Sequence, residues 1–291
     1  MSIPEYYIWI PEQPDVSGPY HTTTLLERSV DEAHLPACRL IIFISSGMVK
    51  YILMTSRGEW IQAKKFDSTG LLSQQMFLRF LFEKEKVLGG SYVEVQIYLD
   101  QPAFTLIPSR FQSPEMNLAF GRLLLDDQLF SDEVYKYRLP YMEAVLLMSF
   151  PPELKHLLDH YLRDYVFLHP ASIVLNIGHR ASRGELELYA LFEGQHMIVA
   201  VYEQEKLLLS NMYVCRASSD VLYYLQLIRE TIDRQDQPLN AYYMGDEGLV
   251  NGYVLDWKSF GIRWLRAPLP EVNRSHFADG QDLTSWRYLI V

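Results

Sequence analysis

This 291-residue chain contains only two cysteines, Cys38 and Cys215, far apart and each in an apolar stretch. That excludes a secreted scaffold built on disulfides and fits buried, reduced thiols in the cytosol. No basic run exceeds Lys64-Lys65, and 36 acidic residues face 26 basic ones. A phosphate-backbone footprint is therefore missing, and nucleic-acid binding is disfavoured. Apolar runs such as Leu40 to Ile44 are far too short to span a bilayer. Met1 to Asp15 has neither the basic nor the apolar segment of a signal peptide, so the expected location is cytoplasmic. The Gly-x-Ser-x-Gly elbow, the Gly-x-Gly-x-x-Gly turn and the Walker loop are all absent.

Tyrosine is plentiful, at 20 residues. An apolar body with a polar tip suits half-buried strands and wet interfaces. The most informative pattern is a repeated order of elements. Strand, tight turn, strand, turn and strand are predicted from about Cys38 to Phe66, followed by a helix over Leu71 to Lys86 and a strand over Tyr92 to Leu99. The same order is predicted from about Ala171: a buried strand over Ile173 to Ile177, a turn over Gly178 to Gly184, then strands over Glu185 to Phe192 and Met197 to Tyr202. A short extra strand from Lys206 to Leu209 and a helix from Ser218 follow. The repeat is one of topology, without residue-by-residue identity.

Between the halves lie predicted strands over Phe104 to Ile107, Val134 to Leu139 and Ala144 to Phe150, a helix starting near Pro114, and an amphipathic helix opened by Pro151-Pro152. Tyr6 to Ile10 is a predicted edge strand within a Pro-rich lead-in that runs to Pro36. Ala241 to Met244 is a predicted strand, Leu249 to Trp257 a helix and Tyr288 to Val291 a terminal strand. His169-Pro170 marks the expected lobe boundary, giving an N-terminal lobe of residues 1–168 and a C-terminal lobe of residues 169–291. The fold class is α/β, with two lobes, each a mixed sheet with an antiparallel three-strand start and flanking helices.

Lys206-Leu207-Leu208-Leu209-Ser210-Asn211, leading to Ser219-Asp220-Val221-Leu222-Tyr223-Tyr224, and the strand ending Tyr243-Met244-Gly245 carry a resemblance. They resemble the signature of a bacterial family, a domain of unknown function found mainly in Bacteroidetes. The order of elements resembles the actin-like ATPase superfamily of sugar kinases, chaperones and actin, related to the ribonuclease H-like fold. The resemblance implies a duplicated actin-like fold, similar to cytoplasmic modules of pilus and secretion assembly, and brings no established activity.

In that superfamily, carboxylates near the hairpins hold Mg²⁺ and the turn amides hold phosphate. Here Cys38 to Ser56 and Pro170 to Arg183 contain no Asp or Glu. The resemblance makes Ser45, Ser46 and Gly47 the first phosphate turn and Asn176 and Gly178 the second, with Asn where Asp would stand. Gly245, Asp246 and Glu247, closed by Gly248, match the adenosine loop only loosely. Magnesium beside a triphosphate needs hard oxygen ligands, so ATP hydrolysis is disfavoured and no cofactor is expected. His156 and His160 have a zinc-compatible spacing but lie off the apolar stripe and lack further ligands, so no metal site is expected. Tyr223, Tyr224, Tyr242 and Tyr243 are the interface candidates. The expectation is a non-catalytic module that binds another protein. The alternative is an ATP-binding protein, ATPase or kinase with non-standard metal ligands, Asp246 or Glu247 among them.

Overall fold

Leu40-Ile41-Ile42-Phe43-Ile44 offers no polar side chain to water, so a strand there must be covered on both faces. In the computed structural model, which describes residues 19–100, 104–124, 134–149, 151–184, 186–234, 237–245, 262–269 and 284–290, that is its position. Strand β2 (Cys38–Ser45) turns at Gly47, whose φ of +85° suits a residue without Cβ, into β3 (Met48–Thr55) and then β4 (Trp60–Ser68). Helix α1 (Gln74–Lys84), capped by the Ser73 side chain, buries Phe77, Leu78, Leu81 and Phe82 on the sheet. The chain then returns as β5 (Glu94–Leu99), parallel to β2.

Strand β1 (Tyr20–Glu27) pairs antiparallel with β4, and β9 (Val166–Leu168) lies beyond β5. The sheet order is β1-β4-β3-β2-β5-β9. Part of the expected loose lead-in is thus an edge strand; Tyr20 packs edge-on to Phe66, and Leu26 is buried. A smaller sheet of β6 (Phe104–Pro108), β7 (Val134–Arg138) and β8 (Ala144–Ser149) carries α2 (Pro114–Leu124), and α3 (Pro152–Tyr161) follows.

The second lobe departs from expectation at its start. Ile173 to Ile177 is not a strand but the middle of helix α4 (Ala171–Ala181), and the expected turn from Gly178 begins inside that helix. Nearly all of its residues to Gly178 are buried, so it lacks the polar face that reveals a helix by its period. The strands are β10 (Glu187–Glu193), β11 (His196–Glu203) and β12 (Lys206–Val214), and the short extra strand is in fact the whole third strand. Helix α5 (Ser218–Thr231) leads to β13 (Leu239–Gly245), parallel to β10, and β14 (Ile262–Arg266) completes the order β12-β11-β10-β13-β14.

The duplication therefore matches β2-β3-β4-α1-β5 to β10-β11-β12-α5-β13, one element later than the sequence suggests. Tyr288 begins a 3₁₀ turn (Tyr288–Ile290) after the short helix α6 (Thr284–Arg287), where a strand was expected. The expected edge strand Tyr6 to Ile10 and helix Leu249 to Trp257 lie outside the described residues. One hydrophobic cluster runs through both lobes, from Leu26 to Leu289, and includes Ile42, Phe43, Tyr189, Tyr202 and Met244. A second lies between the C-terminal sheet and α5.

Candidate functional site between the hairpins

Each lobe carries a hairpin, β2–β3 and β10–β11, and residues of each hairpin reach the other lobe. Lys50 is the one charged residue of Met48–Thr55 and is 2% exposed, while Glu193 closes β10 and is 3% exposed. The ammonium donates to Glu193 Oε1 at 2.8 Å and Oε2 at 2.9 Å, so both carboxylate oxygens share one cation. Tyr288 donates its hydroxyl to Glu193 in a short contact and accepts from Lys50 Nζ at 3.4 Å. The Lys50 ammonium also lies 5.7–5.8 Å from the ring centres of Phe43, Trp286 and Tyr288. Aromatic faces and a carboxylate thus replace the water that the charge gave up.

The same C-terminal hairpin supplies a second cross-lobe pair. His196 is the register partner of Glu193 across the turn at Gly194, and its Nδ1 lies 2.8 Å from Oδ2 of Asp100. Asp100 follows β5 and is buried; its Oδ1 meets no hydrogen-bond partner among the described residues. The hydrogen bond with Asp100 holds the His196 pKa above the ordinary histidine value, against an opposing effect of burial. One hairpin therefore gives an acid to Lys50 and a base to Asp100.

The structure brings together only some of the residues singled out by sequence. Ser45 ends β2 buried, Ser46 is exposed and Gly47 makes the turn, so the first hairpin lies where expected. Asn176 and Gly178 do not form a phosphate turn. Gly178 lies in α4, where a Cβ would come within 2.3 Å of Tyr202 Cε2 and 3.1 Å of Tyr189, so its role is close helix–sheet packing. The counterpart of the first hairpin is instead Glu193-Gly194-Gln195-His196, and it does carry a carboxylate. Gly245 ends β13 with φ +107°, and a Cβ there would meet the Phe192 carbonyl oxygen at 2.0 Å. Asp246 and Glu247 lie outside the described residues.

Of the tyrosines, Tyr242 stacks on Tyr189 at 5.0 Å and donates to Glu187, and Tyr243 packs against Trp264. Tyr224 stacks on Tyr213 at 4.4 Å, and only Tyr223, 63% exposed, faces outward. His156 and His160 are exposed on α3, and no group of three or more potential metal ligands occurs among the described residues. Burial raises the thiol pKa of Cys38 and pushes that of Cys215 up to about 12. No helix among the described residues is long and apolar enough to cross a membrane. Sequence reasoning missed Lys50, Glu193, Asp100 and His196. The available signal was a lone lysine inside an otherwise uncharged, largely apolar strand.

The model of a family described as "Protein of unknown function (DUF3822)" matches residues 28–248, well over half of the 291 residues, and the chain belongs to that family. A Bacteroides thetaiotaomicron protein with an actin-like ATPase fold and unknown function is similar, with a TM-score of 0.72 and 18% identity over 82% of this chain and 94% of that one. A chain of the PilM-PilN type IV pilus biogenesis complex is similar with a TM-score of 0.58 and 11% identity, over 87% of this chain and 96% of that one. At such identities the likeness establishes the fold, which is that of the actin-like ATPases. No curated protein matches the sequence.

Proposed function

We propose that this chain is a non-catalytic, protein-binding scaffold, a pseudo-ATPase working in the cytosol, whose inter-lobe cleft is held shut by its own charges. The observation that carries this reading is the buried Lys50–Glu193 pair. A triphosphate entering between the hairpins would have to take Lys50 from Glu193 and leave that carboxylate buried beside further negative charge. Stranding one member of a buried pair costs about 3–5 kcal/mol. A fold that fills its own anion position gains nothing from nucleotide and keeps its outer surfaces for partners. The PilM-PilN type IV pilus biogenesis complex, which by its description joins a similar fold to another protein, supports this direction by analogy.

One observation favours the second reading, an ATP-binding protein with unusual metal ligands: Asp100 Oδ1 is buried with no hydrogen-bond partner among the described residues. A thermal-unfolding titration with ATP, with and without Mg²⁺, separates the two. A ligand at a hundred times its dissociation constant stabilises the native state by about 2.7 kcal/mol, a shift of a few degrees. The scaffold reading expects no shift at millimolar ATP. A Mg²⁺-dependent rise, lost in Asp100→Asn, would replace it with the second reading.

A further inference from the structure

The two lobes repeat the same five elements but finish the outer edge of their sheets differently. In the N-terminal lobe the third strand, β4, is covered by β1, which runs antiparallel to it from Tyr20↔Ser68 to Glu27↔Gln62. Tyr20, leading β1, packs into aromatics of the third strand and the following helix, with ring centres 5.5 Å from Phe66, 6.2 Å from Phe77 and 5.8 Å from Phe80. At the other end of β1, Glu27 binds Lys64 of β4 at 2.8 Å. In the C-terminal lobe the third strand, β12, is the sheet edge among the described residues.

From this asymmetry we infer that β12 is a strand-addition site for an extended segment of a partner protein. The backbone direction follows from the pairing. Cys215 N–H donates to Gln195 O at 2.7 Å, so odd-numbered residues of β12 bond to β11, and Ser210, Met212 and Val214 point their N–H and C=O groups outward. The Met212 N–H is capped at 2.8 Å by the side chain of its neighbour Asn211, a local device that covers one outward donor on an edge that no other described strand pairs. Leu208 sits at a bulge, so the open ladder runs from Ser210 to Val214.

Side chains above this ladder repeat the aromatic seat that takes Tyr20. Tyr213 of the third strand stacks on Tyr224 of the following helix, and Tyr223 lies 5.2 Å from Tyr224 and 63% exposed. Leu227, at 36%, one turn along α5 from Tyr223 and Tyr224, extends the apolar surface. Two exposed cations, Lys206 and Arg216, flank the strand and make no ion pair among the described residues. A second copy of β12 would bring the same cations to the same edge, and like charges disfavour it. The segment that fits enters antiparallel, led by an aromatic residue for the Tyr213–Tyr224 seat and closed by an acidic residue toward Lys206, the pattern of Tyr20 to Glu27.

This inference rests on the scaffold reading, and its failure can be told apart from that reading's, because the nucleotide titration does not involve β12. The test is selection from a displayed library of random twelve-residue peptides on the full chain, followed by affinity measurement on variants. Enriched peptides are expected to carry an aromatic residue followed about seven positions later by an acid. They are expected to slow amide exchange at Ser210 and Met212. Ser210→Pro removes an outward N–H while the backbone ladder to β11 stays, losing on that side only the hydroxyl's 3.0 Å bond to the Val199 carbonyl, and is expected to weaken binding roughly tenfold. Ser210→Ala, which shares the loss of the hydroxyl, is expected to bind like wild type. Lys206→Glu keeps the test open should the proline variant fold poorly, and is expected to weaken binding severalfold and more at low salt. No enrichment, peptides indifferent to both variants, or a chain that is dimeric until Ser210→Pro is introduced would each overturn the inference.

Discussion

At the scale of single residues, the Lys50–Glu193 pair is the strongest structural commitment in the molecule. Two ions out of water are tolerated because each satisfies the other and because Tyr288 and three rings complete the shell. Lys50→Met leaves Glu193 buried and unpaired, with an expected loss of about 3–5 kcal/mol by urea denaturation. Lys50→Met combined with Glu193→Leu removes both charges and is expected to recover most of that loss. A double variant no better than the single one would show that the pair contributes by packing alone. His196 offers a pH-dependent counterpart. Its folded pKa lies above its unfolded value, so its contribution is fully present below about pH 6.5 and fades as pH rises through the raised folded value. The stability gap between wild type and His196→Gln is therefore expected to be widest in mild acid and to close in alkali, and a gap that widens with pH would reverse the assignment. Only the lone lysine in an apolar strand was legible in the sequence; its partner was not, because Lys50 and Glu193 stand 143 residues apart and nothing local joins them.

At the scale of elements, legibility followed local chemistry. The first-lobe hairpins at Gly47 and Gly58, the helix capped by Ser73 and the parallel return strand all announce themselves by turn residues and period. Helix α4 did not, since burial on nearly every side erased its period and Asn176-Ile177-Gly178 imitated a phosphate turn. The true turn, Glu193-Gly194-Gln195, was legible as a turn but not as the partner of Ser45-Ser46-Gly47, because α4 displaced the repeat by one element. Gly178 shows what the imitation concealed. The Tyr202 ring that faces it is anchored by its hydroxyl to the Leu175 carbonyl at 2.8 Å, so it has little room to retreat. Gly178→Ala gains helix propensity worth up to about 1 kcal/mol but overpacks at a typical cost of about 1–3 kcal/mol. A net destabilisation is expected in thermal melts, and a stabilised variant would mean that Tyr202 moves freely and that the glycine has another purpose.

At the scale of the whole molecule, the two lobes share more than a cleft. The hydrophobic cluster that fills the N-terminal sheet continues through α4 into one face of the C-terminal sheet and takes in Trp286, Tyr288 and Leu289 near the end of the described chain. Actin-like architecture was legible from the repeated order of elements, but this continuity was not, since a contact between lobes leaves no period in either. It has a mechanical consequence. Lobes that open around a ligand need an interface that separates at low cost, whereas here separation would expose apolar side chains and strand four charged or polar groups: Lys50, Glu193, Asp100 and His196. Unfolding is therefore expected to be a single cooperative transition, with equal calorimetric and van't Hoff enthalpies. Residues 1–168 alone, which would expose the N-terminal side of the shared cluster and leave Lys50 without Glu193, are expected not to fold stably. Two resolved transitions, or a folded N-terminal piece, would mean that the lobes are independent and that the cross-lobe pairs only decorate their contact; a single transition would tie the closed cleft to the stability of the whole chain.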